Sequence, residues 1–229
     1  MSDGARVRRQ FGEGPLARAS ALVYCLLAVE LLFLVTTVPG LVLLVLLDRD
    51  ASNVPLVAIC AIPLGPALSA AVYALNAHRP DLTELRPAAA FWRGYRGNAL
   101  GVLRVWIPLL LWLTIIAVNL TNLSAAAVPQ WWAALLIVVA AVAALWGANA
   151  LVITSLFAFR ARDVARLAAY FLVRTRGVTL ANACLLIVAT GVTAVSSEAV
   201  LALLGSVFAM ALLRGCQPMI AVVRKEFVA

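Results

Sequence analysis

From residue 19 onward the chain alternates long apolar stretches with short polar ones, and the apolar stretches exceed what a soluble core requires. Residues 105–159 form a run of 55 without a single Asp, Glu, Lys, Arg or His. A helix needs only about 20 residues to cross ~30 Å of hydrocarbon, so this run holds two crossings. Applied along the chain, the pattern predicts six helical crossings, at 19–47, 52–76, 99–119, 131–159, 177–195 and 199–213. The first is interrupted by Glu30 and by Pro39-Gly40, a pair expected to bend or end the helix near its outer side. Asp48-Arg49-Asp50, the polar run that begins at Asn119, and Ser196-Ser197-Glu198 mark outer turns, and Trp131 and Trp132 are placed to anchor the fourth crossing at the interface.

Composition agrees with this pattern. Of 229 residues, 65% are hydrophobic and 12% charged, and the mean hydropathy is +1.03, which makes the bilayer the chain's main solvent. The 18 Lys and Arg residues then assign sidedness. Arg6, Arg8, Arg9 and Arg18 precede the first crossing. Arg79, Arg86, Arg93, Arg96 and Arg104 follow the second, Arg160, Arg162, Arg166, Arg174 and Arg176 follow the fourth, and Arg214, Arg224 and Lys225 follow the last. Only Arg49 falls on the other side, and this asymmetry places both termini in the cytoplasm. The expected architecture is an all-α polytopic membrane bundle of the plasma membrane. It has a basic N-terminus over 1–18, one six-helix transmembrane domain over 19–218 and a cytoplasmic tail over 219–229. The first crossing reads as an uncleaved anchor, being too long for a signal peptide and lacking a small-residue cleavage site. The net charge of +8 is spread over short loops among apolar segments, so it points to phospholipid headgroups and not to nucleic acid.

The two arginine-rich inner loops mix charge with aromatic residues and are expected to form amphipathic segments at the headgroup level. They also match at an offset of 80 residues: Ala88, Ala89, Phe91, Arg96, Gly97 and Leu100 correspond to Ala168, Ala169, Phe171, Arg176, Gly177 and Leu180. A parallel repeat and chance identity in alanine-rich sequence both account for this. Phe91, Trp92, Arg93, Tyr95 and Arg96 form a candidate cytoplasmic docking surface, an apolar contact with a charged rim.

Candidate chemistry is sparse. Glu30 lies near the bilayer midplane, where a carboxylate must be protonated or paired. Its two readings are one interhelical hydrogen bond and a proton or cation relay. Asn149 lies at comparable depth in the fourth crossing. Pro63-Leu64-Gly65-Pro66 removes two backbone donors in mid-span, and such breaks either kink helices or build transport sites. Glu30, Asn149, Pro63, Gly65 and Pro66 therefore make up the candidate intramembrane polar site. His78 is a lone interfacial histidine. Cys25, Cys60, Cys184 and Cys216 lack metal spacing and read as small buried hydrophobes, and Asn119 and Asn122 open glycosylation patterns that helix termination explains more simply. No nucleotide-binding, nucleophile-elbow, zinc-protease or paired-carboxylate motif occurs. No catalytic residue, cofactor or metal site is expected, and the chain is not read as an enzyme.

Pro63-Leu64-Gly65-Pro66-Ala67, Ala71, Tyr73, then Phe91-Trp92-Arg93-Gly94-Tyr95-Arg96-Gly97-Asn98, Trp106 and Asn119 resemble in order and spacing the YesL-like family of bacterial integral membrane proteins. The well-matched part covers about a quarter of the chain, while the length and helix number agree throughout. Members of that family are known mainly as membrane proteins encoded near carbohydrate ABC transporters and glycoside-processing enzymes. The resemblance therefore implies a non-enzymatic accessory or regulator of carbohydrate uptake, with a transporter or other membrane protein as partner. The competing expectation is a small secondary transporter or channel built on Glu30 and the broken second helix.

Overall fold

The computed structural model describes residues 15–48, 50–77, 86–123 and 129–227, and among these it is all-helical with no strand. Arg6, Arg8, Arg9, Arg49, His78, Arg79 and Ser124 lie outside the described residues. Hydrocarbon offers the backbone no hydrogen bonds, and a helix satisfies them internally. Four helices are long and apolar enough to cross alone: α1 (Pro15–Leu46), α4 (Pro87–Thr121), α5 (Trp131–Leu156) and α7 (Arg176–Val195). Two further crossings are bent. A 3-10 turn at Ala51–Asn53 leads into α2 (Val54–Cys60), which meets α3 (Leu64–Asn76) at 40°, and α9 (Gly205–Gly215) meets α10 (Gln217–Phe227) at 54°. Counting each bent pair as one span gives six crossings. The chain is a multi-pass membrane protein. Two shorter helices, α6 (Ala161–Arg174) and α8 (Glu198–Ala202), complete it.

Three boundaries differ from those expected. α1 runs unbroken through Pro39, because a membrane helix tolerates the one missing donor. The neighbouring Gly40 accommodates an approach instead: a Cβ there would overlap the Cys60 carbonyl at the end of α2. The aromatic stretch read as an inner loop is the start of α4, with Pro87 in its first turn followed by three alanines, a strong helix opening. At 35 residues α4 is about 52 Å long, well beyond the hydrocarbon thickness. The segment read as a tail from 219 lies within α10, whose Met219, Ile220 and Val223 form a buried stripe beside Arg224 and Lys225.

The repeat-like segments share length and part of their burial pattern but not backbone. α4 is one helix, whereas α6 and α7 are separated at Thr175 (φ −108°, ψ 72°). Phe91 and Phe171 are both fully buried and Leu100 and Leu180 both exposed, while Ala88 is exposed and Ala168 buried. α6 itself is amphipathic, with Val164, Ala168 and Phe171 facing inward and Arg162, Arg166 and Arg174 outward. α3 is the hub of the bundle, packing on α1, α4, α5 and α9. Burial is concentrated at the arginine-rich end. Every buried α5 residue lies between Gly147 and Ser155, while Leu135, Ile137, Val138 and Val142 stay exposed.

Candidate functional site

Glu30 is the sixteenth of 32 residues in α1 and so sits at the middle of a helix about 48 Å long. It faces the start of α9. Between α8 and α9 the chain leaves regular helix at Leu203 and Leu204, and Leu204 caps α9 with no side-chain hydrogen bond. The first N–H groups of α9 have no intrahelical acceptor. Ser206 N–H donates to Glu30 Oε2 at 2.6 Å, so α1 supplies a cap that the local sequence lacks. One turn along α1, Phe33 lies against Gly205, where any Cβ would overlap the ring. Glu30 Oε1 is buried with no hydrogen-bond partner among the described residues. The arrangement is an intramembrane carboxyl with one oxygen on the positive end of a helix dipole and the other unused.

The second discontinuity is at 61–63, slightly before the expected one. Leu64, Gly65 and Pro66 form the first turn of α3, a place that suits proline because first-turn donors are unused. Pro66 can donate nothing to Ile62, and Leu64 N–H turns back to Ala61 O at 3.2 Å. Trp106 of α4 donates its indole N–H to the same carbonyl at 3.0 Å. Gly65 makes room for that indole, since a Cβ there would lie 2.6 Å from the ring. The break is thus closed over by Trp106. α1 packs on α2, α3, α8 and α9 and so borders both discontinuities.

Asn149 is not part of this arrangement. It accepts from Asn182 Nδ2 at 3.0 Å and donates weakly to Ala168 O at 3.5 Å. Asn182 also lies 3.6 Å from Cys216 Sγ. The expected polar site therefore divides in two: Glu30 caps α9, and Asn149 belongs to a chain tying α5, α6 and α7 to the junction of α9 and α10. A third tie joins Ser155 to Ser69 at 2.9 Å and Asn98 Nδ2 to Ser155 O at 2.8 Å. Sequence reasoning missed Ser206, Asn182, Ser155 and the role of Trp106. Asn182 lies six residues from the start of α7 and Asn149 seven from the end of α5. Against the expected bounds, 177 and 159, the distances are five and ten, so depth along the sequence did not pair them.

The docking surface is reduced to part of its expected set. Phe91 is fully buried and stacked on the partly buried Tyr95 at 6.3 Å, because position 91 faces α3 and not the outside. Gly94 lets α4 close on α3, where a Cβ would lie 2.8 Å from Tyr73. Trp92, Arg93 and Arg96 remain exposed. Among the described residues no three His, Cys, Asp or Glu side chains gather as a metal site, and the four cysteines are free. No family model, curated protein or solved structure matches the chain.

Proposed function

We propose that the chain moves a solute or cation across the plasma membrane and that Glu30 is the group that takes up and releases the coupling proton. The observation that carries this reading is the meeting of Glu30, midway along α1, with the first turn of α9 at the break between α8 and α9. Its Oε2 rests on the Ser206 N–H, and its Oε1 is buried and unpartnered. An ionisable group at this depth marks a functional pathway by default, and discontinuous helices whose N-termini face such a group are a recurring transport device. A second discontinuity, at 61–63, lies against the same helix. The test is proton flux into proteoliposomes containing the purified chain, under an imposed potential. Glu30→Gln keeps an oxygen for Ser206 and is expected to fold normally while abolishing flux. Undiminished flux in that variant would leave Glu30 a purely structural cap.

The second reading is an accessory subunit of a carbohydrate ABC-type uptake system. It is favoured by α4, which projects past the hydrocarbon with Trp92, Arg93 and Arg96 exposed on a helix held rigid at Phe91 and Gly94. Mild crosslinking and purification are expected to capture one membrane partner in fixed stoichiometry, released by Trp92→Ala without a change in thermal stability. Headgroup anchoring alone gives lower stability and no captured partner.

A further inference from the structure

A groove of about 590 Å³ opens sideways between α4, α5 and α6, within the size range of small-molecule sites. Its walls are apolar: Trp112 from α4, Val139, Val142 and Trp146 from α5, and Leu172 and Val173 from α6. The one polar atom of Trp146 is already used, its indole N–H donating to Ala165 O at 3.1 Å. Apart from the indole N–H of the half-exposed Trp112, the groove offers an occupant only hydrocarbon. One turn before the lining on two of these walls the character changes. Arg104 lies on the same α4 stripe as the groove residues Pro108 and Trp112, at i, i+4 and i+8. Arg166 lies on the same α6 stripe as the groove residues Ala169 and Val173, at i, i+3 and i+7. Both arginines are exposed.

We propose that this groove holds an acyl chain of one anionic glycerophospholipid from the arginine-rich leaflet, with its phosphate between Arg104 and Arg166. Hydrocarbon walls with an exposed arginine one turn away on each of two helices match an amphiphile with an apolar chain and an anionic head. A transmembrane helix of a partner or second copy would leave the two arginines without counter-charge. Bound there, the lipid wedges α6 against α4 and α5.

The full chain in detergent, offered equal phosphatidylglycerol and phosphatidylcholine of identical chains, is read by native mass spectrometry. One retained lipid per chain is expected, with phosphatidylglycerol preferred roughly fivefold or more, the scale set by arginines at a membrane surface. The double variant Arg104→Gln, Arg166→Gln is expected to lose the preference, and Val142→Trp, at an exposed position, to lose both lipids. Equal retention of the two lipids by the native chain, or retention unchanged by Val142→Trp, overturns the proposal. So does a dimer dissociated by Val142→Trp, since a second copy then fills the groove. Photocrosslinking with a diazirine-bearing acyl chain gives an independent reading on the native chain. Label is expected on the peptides carrying Trp112, Val142 and Val173, and label confined elsewhere overturns the assignment.

Discussion

At Gly65 and Gly94 the helices approach so closely that an added methyl would lie 2.6 Å from the Trp106 ring and 2.8 Å from Tyr73, respectively. Gly65→Ala and Gly94→Ala are expected to destabilise by about 1–3 kcal/mol each, the usual cost of overpacking. Gly97 and Gly177 have no atom within 4 Å of the added carbon. Gly97→Ala and Gly177→Ala should be neutral or stabilising by up to about 1 kcal/mol, as alanine is the better helix former. Thermal unfolding in one detergent checks all four, and equal effects at the two pairs would contradict the packing described. Sequence alone marked Gly65 as a helix breaker within a Pro-Leu-Gly-Pro run. That it admits an indole depends on a residue 41 positions away, which no local pattern reveals.

Among the elements, the legible features were those carried by long hydropathy runs and by arginine spacing. The six apolar segments and the amphipathic α6 follow from these. The break before α9 did not, because Leu203 and Leu204 are as apolar as the helices around them, and only Gly205 punctuates the run. Pro39-Gly40, expected to bend or end α1, does not end it, for the converse reason: helical backbone in a bilayer persists unless something else takes over its hydrogen bonds. At the break before α9 the neighbouring element does take one over, since Glu30 supplies the acceptor for Ser206. Glu30→Leu is expected to lower thermal stability by about 1 kcal/mol and Glu30→Gln by much less. Equal losses would mean that the hydrogen bond does not hold α9. Asn182→Leu removes the donor to Asn149 and should cost roughly 0.6–1.7 kcal/mol by the same measurement.

For the whole molecule, the sidedness of every loop after the first crossing depends on α2–α3 crossing the membrane as one bent span. If α2–α3 instead turned back, Ser52 and Arg86 would lie on the same side and the later crossings would invert. The partition of arginines argues for crossing, because inversion would place Arg93, Arg96 and Arg104 opposite Arg18. The most direct measurement uses single cysteines in a background lacking the four native ones, reacted with a membrane-impermeant thiol reagent on intact cells. The account predicts labelling from outside at Ser52, Gln130 and Ser197, and at Arg86 and Asp163 only after permeabilisation. Labelling of Arg86 from outside, or protection of Gln130, would contradict it.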